Sequence, residues 1–360
     1  MDDMKNKMNK STKNNMVTYG IVILLFVVVQ TLSSTGNLSR LLTGLLVPLC
    51  VYTIAAVSLN LVVGFSGELS LGHAGFMCVG AYSSALFSHV ASDVIPPVPR
   101  FIIAILIGAA VAGVFGVLIG IPVLRLRGDY LAIVTLAFGE IIKNLINILY
   151  VGMDEHGLHA ATTSAGLKLA AGGKKIMKGA LGISGTSALY KDMKGYFFVI
   201  GVILVLLTLF IVQNLVNSRS GRAIMSTRDN RIAAESVGIN VTKYKLLAFS
   251  VSAALAGVAG VLYAHNISML KVSVFDYNMS ILILVYVVLG GIGNLRGSMI
   301  AAIVLYALPE LLRGFANYRM LIYAIVLIVM MLFNWAPAAR TWRSRMVEKF
   351  KGTKTKKEAA

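Results

Sequence analysis

Residues 218–245 read SRSGRAIMSTRDNRIAAESVGINVTKYK, a polar and basic stretch between two long apolar segments. Thr227 is of a type that caps helix N-termini, and Gly238 is of the type found just past a helix end. The pattern predicts a helix over 228–237, about 15 Å long at 1.5 Å per residue. Small or apolar residues share one face of it: Ile232, Ala233, Ser236 and Val237. Such a face indicates docking to another protein; the alternative interpretation is an ordinary solvated loop helix.

The composition is that of an integral membrane protein. Of 360 residues, 57% are hydrophobic and only 13% are charged, whereas a soluble domain carries roughly 25% charged residues. The net charge of +18 would indicate nucleic acid in a soluble protein, but the positive-inside bias of membrane proteins accounts for most of it. We therefore expect no nucleic-acid partner. Cys50 and Cys78 lie in apolar segments and predict packing residues, with no disulfide and no metal site.

Ten apolar segments approach the ~20 residues that a spanning helix needs. The predicted fold is an all-α, polytopic transmembrane helical bundle of about ten spans, with short discontinuous segments. The segments are 17–34, 43–63, 69–89, 101–124, 130–151, 196–217, 246–265, 279–291, 297–313 and 319–334. The first follows a polar, basic N-terminus and is either an uncleaved anchor helix, which we favour, or a signal peptide.

Charge distribution predicts the orientation. With both termini cytoplasmic, the inside pieces hold most of the Lys and Arg, as the positive-inside rule requires. These pieces are 1–16, 125–129, 218–245, 292–296 and 335–360. The external loop 152–195 opposes the rule because it is rich in lysine, and we expect a small helix in it. The domains are then a basic N-terminus 1–16, a transmembrane domain 17–334 and a basic tail 335–360 suited to anionic lipid headgroups.

Two glycine-rich turns share the pattern G-x-x-G-[E/N]-L. Residues 64–69 read GFSGEL and residues 290–295 read GGIGNL. In the predicted topology both connect an inward-running helix to an outward-running one, which favours a parallel internal repeat. Glycine-interrupted segments at corresponding positions of two halves indicate a transport site. Chance similarity between glycine-rich turns is the alternative.

The segment 64–75 is the predicted lining of a translocation path. Unwound backbone at membrane depth is tolerated where it is buried in protein or lines a cavity. A helix N-terminus at 70–75 would offer free N–H groups to a carboxylate, while Glu68 and His73 would hydrogen-bond an ammonium or gate the path. The alternative is a close-packed surface turn with Glu68 solvated. The predicted path residues are Gly64, Ser66, Gly67, Glu68, Ser70, Gly72, His73, Gly75, Gly290, Gly293 and Asn294.

Polar residues interrupt the fifth apolar segment. Glu140 and Asn144 share one helical face with Asn147, and Lys143 is close enough to Glu140 to pair with it. A charge at the bilayer centre costs ~2.5–3.5 kcal/mol, so it usually faces protein or water. We favour a neutralised Glu140–Lys143 pair that fixes helix packing over direct contact with a solute.

The sequence carries no enzyme motif. It lacks HExxH, CxxC, GxSxG and the GxxxxGK[ST] phosphate loop. We therefore expect no catalysis and no cofactor, and an ATP-driven process would need the ATPase on a separate chain.

Four long blocks, 59–82, 124–142, 221–264 and 287–305, together resemble the LivM-type permeases. The first reads LNLVVGFSGELSLGHAGFMCVGAY. These permeases are membrane subunits of bacterial ABC importers for branched-chain amino acids. The resemblance implies a multi-pass protein of the bacterial inner membrane. It also implies three kinds of partner: a LivH-like second permease, two cytosolic ATP-binding subunits that drive transport, and an external substrate-binding protein that delivers leucine, isoleucine or valine.

The resemblance also implies that 227–238 is the coupling helix. Many ABC importer permeases carry E-A-A-x-x-x-G there; this chain has Ala233-Ala234-Glu235 and then Gly238. The coupling residues it implies are Arg228, Asp229, Arg231, Ala233, Ala234, Glu235 and Gly238. Three alternatives stay open: import of urea or short amides by the same family, an ion-coupled secondary transporter with Glu68 or Glu140 as its coupling carboxylate, and a membrane scaffold or sensor.

Overall fold

The computed structural model describes most of the chain between residues 16 and 335. The described residues are 16, 18–20, 22–32, 39–126, 128–155, 157–167, 169, 173–315 and 318–335. The basic N-terminus and the basic tail therefore lie outside the described residues, apart from Met16 and Trp335.

The fold is mostly helical, and a helix matches each of the ten predicted apolar segments. The helices are α1 (Thr18–Leu32), α2 (Arg40–Asn60), α3 (His73–Val90), α4 (Pro97–Val123), α5 (Asp129–Asn147), α6 (Phe197–Asn217), α7 (Arg219–Asp229), α8 (Arg231–Ser236), α9 (Val241–Asn266), α10 (Tyr277–Gly290), α11 (Leu295–Leu311) and α12 (Arg319–Trp335). Within the described ranges, six helical stretches are long and apolar enough to cross a membrane. They are Leu42–Ser66, Pro97–Val123, Phe197–Asn217, Val241–Asn266, Val272–Gly290 and Leu295–Gly314.

Helices α2 and α9 form the centre of the bundle. The apolar window of α2 is 89% buried within the protein, against 28% for α4 at the rim. Helix α9 packs against α2, α3 and α4. Small residues permit the close crossing of α3 and α9, because a Cβ on Gly80 would overlap the backbone of Gly257. This crossing fixes α3, and hence the glycine-rich segment that precedes it, against the core.

The prediction of an all-α fold was wrong in one region. The loop after α5 forms antiparallel strands β1 (Tyr150–Asp154), β2 (Gly157–Ala161), β3 (Lys174–Lys178) and β4 (Ile183–Ser184), which β5 (Met269–Leu270) completes in the order β2-β1-β3-β4-β5. Ile183 and Ser184 pair with Leu270 and Met269. In place of the expected small helix, 3-10 turns span Gly179–Leu181 and Thr186–Tyr196. The pairing of β4 with β5 joins segments that are almost 90 residues apart in the sequence. No local sequence pattern encodes such a pairing.

The sheet and the polar stretch 218–245 lie at opposite ends of the bundle, here called the sheet end and the loop end. Gly67, before α3, contacts Arg228 of the loop end, whereas Ser88, near the other end of α3, has its hydroxyl 2.9 Å from the Tyr190 hydroxyl in the segment after β4. Helix α3 therefore runs the whole way between the two ends.

Candidate functional site

The two glycine-rich turns meet at the loop end. Helix α2 continues as a π-helix over Leu61–Ser66, and the second turn joins α10 to α11. The Gly293 N–H donates to the Asn60 side-chain oxygen at 2.9 Å, and the Asn60 amide donates to the Ser298 hydroxyl at 2.8 Å. Asn60 is fully buried. The Asn60 side chain thus forms hydrogen bonds across the junction between the two turns. Sequence analysis had linked these turns only by their similar sequence pattern.

Glycine is required where these turns touch. A Cβ on Gly64 would collide with the Asn60 side chain and the Gly293 backbone. Gly67 ends the π-helix at φ +74°, a conformation that side chains with a Cβ disfavour. The junction therefore depends on backbone-to-backbone contact at Gly64 and on a left-handed turn at Gly67.

Arg228, at the C-terminal end of α7, reaches this junction. Its Nη1 donates to the Gly64 carbonyl at 2.8 Å, while its Nε and Nη2 donate to the Asp229 carboxylate at 2.9 and 2.8 Å. The side chain also passes beside Gly67. The guanidinium is thus turned toward the glycine-rich turns, although sequence analysis had placed Arg228 among residues facing a partner.

Glu68 and His73 both have partners within the chain. Glu68 forms an ion pair with Lys245 at the start of α9, and the two side chains are only 12% and 13% exposed. His73 lies in contact with the Ser58 hydroxyl, 2.8 Å from its Nε2, and is buried. In this state both side chains are engaged within the chain, and the alternative of a solvated Glu68 was wrong. Their roles in binding an ammonium or gating the path stay predictions.

Two hydroxyls near the junction have no such partner. Ser66 and Ser70 are each 2% exposed, and within the described part of the chain neither Oγ has a hydrogen-bond partner. Helix α3 begins at His73, with Gly72 at its N-cap position, so Ser70 lies before the helix and not at its N-terminus. The first-turn N–H of Ala74 is already taken by the Ser280 hydroxyl at 3.0 Å.

The remaining predicted path residues serve helix packing. Gly72 and Gly75 let α3 approach α5 closely, at Thr135 and Gly139. The Asn294 side chain caps α11 by accepting from the Gly297 N–H at 3.2 Å, as the pattern of a turn followed by a helix suggests.

The polar stretch 218–245 contains two helices where one was predicted. Thr227 lies inside α7 and donates its hydroxyl to Ile224, while Asn230 caps the six-residue α8. At 1.5 Å per residue α8 is about 9 Å long, not 15 Å. Gly238 takes φ +82°, as expected of a residue past a helix end. The short helix follows from Asn230, whose extended backbone breaks the chain between the two helices.

One face of α8 is open to solvent. Ile232 is 80% exposed and Val237 is 73% exposed, with Ala233 and Ser236 beside them. Ala234 is buried against the rest of the protein. On the polar side, Arg231 and Glu235 form an ion pair at 2.9 Å. The apolar stripe is thus exposed as a unit, and Ala234 fixes its direction.

A cavity of about 620 Å³ separates α8 from the helices. The cavity lies among the glycine-rich segment 64–75, the α4–α5 connection and the polar stretch 218–245. Its lining includes Gly67, Glu68, Leu69, Leu124, Leu126, Gly128, Asp129, Asp229, Asn230, Arg231, Ile232 and Lys245. The pieces predicted to be cytoplasmic at 125–129 and 218–245 therefore lie at the same end of the protein.

The predicted pair in α5 is present. Glu140 and Lys143 form an ion pair, with 29% and 20% of their side chains exposed, while Asn144 is exposed. This geometry favours the packing interpretation, because each charge already has its counter-ion.

A second cavity, of about 970 Å³, opens at the sheet end. It lies between the α3–α4 turn and the sheet, and its lining includes Asp93, Glu155, Lys174 and Lys175. Beneath it, buried Arg100 donates to the Ser92 and Leu189 carbonyls, each at 2.9 Å, and to the Tyr190 hydroxyl at 3.2 Å. These bonds hold the segment after the sheet onto α4.

Sequence analysis missed several residues that build the site. Asn60 and Ser298 lie within apolar segments, and a polar residue inside an otherwise apolar run is the one signal that marks them. Lys245 and Arg100 resembled ordinary flanking charges. Their roles follow from contacts with segments distant in the sequence.

Comparison with known proteins identifies the family. A family model described as "Branched-chain amino acid transport system / permease component" matches residues 41–333. The chain belongs to this family. It is similar to the high-affinity branched-chain amino acid transport system permease proteins LivM of Salmonella typhimurium and Escherichia coli, with 35% identity over 317 residues, covering 86% of this chain and 72% of each relative. No solved structure matches the chain.

The chain is also similar to more distant relatives, one of which is named for a different solute. A probable LivM permease of Methanocaldococcus jannaschii is 22% identical over 299 residues. A nucleoside ABC transporter permease of Lactococcus lactis is 23% identical over 202 residues, 56% of this chain and 60% of the relative.

Proposed function

We propose that this chain is the permease subunit of an ATP-driven importer of leucine, isoleucine and valine. The observation that carries the proposal is the 35% identity across 86% of the chain to two permeases named for branched-chain amino acid transport. The chain itself would catalyse no covalent reaction, and hydrolysis would take place on two cytosolic ATP-binding subunits.

The exposed stripe on α8 supports an ATPase partner. An apolar patch that includes Ile232 and Val237, on a loop otherwise rich in charge, is typical of a surface that another protein covers. Its small area suits one end of a groove on the ATPase. Ala234, Gly238 and the Arg231–Glu235 pair would hold the stripe in position, a role for these residues that resembles that of the coupling helix in related importers.

The chain would cross the inner membrane ten times, with both termini in the cytoplasm. Besides the six long apolar stretches, α3 and α5 each run from the loop end to the sheet end, and α1 and α12 are shorter apolar helices. The domain limits are then 1–16, 17–334 and 335–360, with the basic tail near anionic lipids.

The translocation path would pass the junction of the glycine-rich turns. A zwitterion cannot cross ~30 Å of hydrocarbon without polar groups along the way. The partnerless hydroxyls of Ser66 and Ser70 would supply weak, temporary contacts, since an external substrate-binding protein already provides the affinity. That binding protein and a second, LivH-like permease would complete the assembly. We assign the cavity at the sheet end to the binding protein as its docking surface.

The test is uptake by the reconstituted complex of this chain with its second permease, ATPases and binding protein. We expect ATP-dependent accumulation of labelled leucine that unlabelled isoleucine and valine compete away. Competition by urea, acetamide or a nucleoside instead would reassign the solute within the family. Uptake by this chain alone, driven by a proton or sodium gradient, would replace the proposal with an ion-coupled mechanism.

A further inference from the structure

We propose that Arg228 is a positioning residue that links the coupling loop to the two glycine-rich turns, so that displacement of α8 moves the turns directly. The inference rests on the proposed function, because it assumes that an ATPase displaces α8. It assigns Arg228 to a contact within the chain and removes it from the surface that faces the ATPase.

The position of Arg228 in the chain suits such a link. It precedes Asp229 and Asn230, where α7 breaks into α8. Helix α8 packs on α7 and α9, and α7 in turn packs on the π-helix Leu61–Ser66. A displacement of α8 therefore reaches the π-helix through α7, alongside the direct contact of α8 with α9.

The rigid guanidinium group of Arg228 contacts two different residues. Its Nη1 donates to Gly64 in the last turn of the π-helix, where carbonyls lack partners within the helix, and its other edge holds Asp229. A planar guanidinium fixes these directions relative to each other, so Asp229 cannot turn without disturbing the bond to Gly64. The hydrogen bond between Arg228 and the Gly64 carbonyl therefore has a fixed orientation.

The surroundings explain why Gly67 must lack a side chain. A Cβ there would overlap the Cγ of Arg228 at 2.5 Å. The second turn is also close, since a Cβ on Gly293 would lie 3.9 Å from the Arg228 Nη1. Arg228 therefore lies between the coupling loop and both turns and contacts elements from three separate parts of the sequence.

The segment that Arg228 holds has features of an element with a second arrangement. π-helices are rare and often occur at functional sites. Here the π-helix is followed within four residues by Ser70, and both Ser66 and Ser70 have buried hydroxyls without partners in the described residues. A rearrangement that gives these hydroxyls partners offsets part of the cost of releasing Gly64 from Arg228.

The hydrogen bonds of Arg228 argue against the simpler role of ATPase contact. Its Nη1 donates to the Gly64 carbonyl, and its Nε and Nη2 donate to the Asp229 carboxylate. A residue whose donors are engaged within the chain has little left to offer a partner.

The test compares Arg228→Ala with Arg222→Ala in the complete complex. Arg222 is the matched control, since it is also an exposed arginine of α7, but its Nη1 donates to the Asn217 carbonyl at 3.2 Å and not to the turns. Three quantities are measured: bound ATPase per permease, ATP hydrolysed per leucine imported, and the reaction of a Ser66→Cys reporter with a small hydrophilic thiol reagent. The reporter is placed in a Cys50→Ala, Cys78→Ala background and used for labelling only.

With Arg228→Ala we expect stoichiometric ATPase binding, at least about fivefold more ATP hydrolysed per leucine, and reporter labelling that no longer depends on nucleotide. Arg222→Ala should match the wild type in all three. Loss of ATPase binding in Arg228→Ala would place the residue in the interface and overturn the proposal, as would wild-type labelling and coupling. If Arg228→Ala does not fold, Arg228→Lys replaces it, since an ammonium cannot hold Gly64 and Asp229 in one plane; wild-type coupling in that variant also overturns the proposal.

Failure of the proposed function would look different. A wild-type complex that imports no leucine contradicts the assigned solute, whereas the nucleotide dependence of reporter labelling requires no solute at all.

Discussion

Gly293 and Asn60, 233 residues apart in the sequence, are joined by a backbone-to-side-chain hydrogen bond of 2.9 Å. This bond connects the π-helical end of α2 to the turn between α10 and α11, and the same Asn60 side chain also donates to Ser298. The packing of two halves of the bundle therefore depends on one buried amide.

Replacing Asn60 with alanine should destabilise the protein. The Gly293 N–H and the Ser298 hydroxyl would lose their common partner, and a buried unsatisfied group costs about 1–3 kcal/mol. The thermal unfolding midpoint of the purified protein in detergent measures the effect, which we expect to be a fall of several degrees. Asn214→Ala, at an exposed site on α6, is the control. Equal midpoints for the two variants would show that the Asn60 hydrogen bonds contribute nothing to stability.

Gly64→Ala should abolish transport at normal levels of the protein. Even one methyl group would separate Gly64 from Gly293, and overpacking of this kind costs about 1–3 kcal/mol. Gly44→Ala is a matched control on the same helix, since nothing lies within 4 Å of a Cβ there. The control should be neutral or slightly stabilising, because glycine inside a helix is unfavourable by about 0.5–1 kcal/mol. Wild-type uptake by Gly64→Ala would show that Gly64 and Gly293 can move apart without loss of transport.

Ala233→Arg should separate ATP hydrolysis from solute addition. The new side chain would place bulk and charge on the exposed stripe between Ile232 and Val237, while membrane insertion should be unaffected. Stimulation of ATPase activity by leucine with its binding protein is the measurement. Ala233→Ser, which adds only a small hydroxyl at the same position, is the control and should not reduce stimulation. Full stimulation in Ala233→Arg would remove α8 from the docking surface.

Glu140→Gln should lower folded yield more than it lowers transport per folded complex. Lys143 would lose its counter-ion in a half-buried position, and breaking a fully buried pair costs about 3–5 kcal/mol, an upper limit here because both side chains are partly exposed. The exchange variant Glu140→Lys with Lys143→Glu keeps a pair and should recover much of the yield. A variant that folds normally but fails to transport would instead place Glu140 in the path.

Apolar length predicted the helices well and the site only in part. Every predicted segment coincides with a helix because burial in hydrocarbon or protein interior requires long apolar runs. The glycine-rich turns were identified because glycine marks close backbone approach. The break at Asn230 was missed because Thr227 and Asn230 are both capping residue types, and tertiary contacts decide between them.

Sequence patterns did not predict the contacts between segments that are distant in the chain. The strands are short, and β4 pairs on one side with the distant Met269 and Leu270. Likewise, nothing local distinguishes Arg228, which turns inward to Gly64, from Arg231, which stays at the surface. In both cases the deciding partner comes from another part of the chain.

The pairing of β4 with β5 has a consequence for biogenesis. In the proposed orientation, a chain growing from its N-terminus exports β1 to β4 well before the ribosome has made Leu270, so Ile183 leaves the membrane with one strand edge unpaired. Unpaired strand edges attract other chains. The outer sheet can therefore close only after α9 has been inserted, which makes insertion of the central helix a checkpoint for the external surface and leaves any chain truncated before residue 269 with an open, protease-sensitive edge.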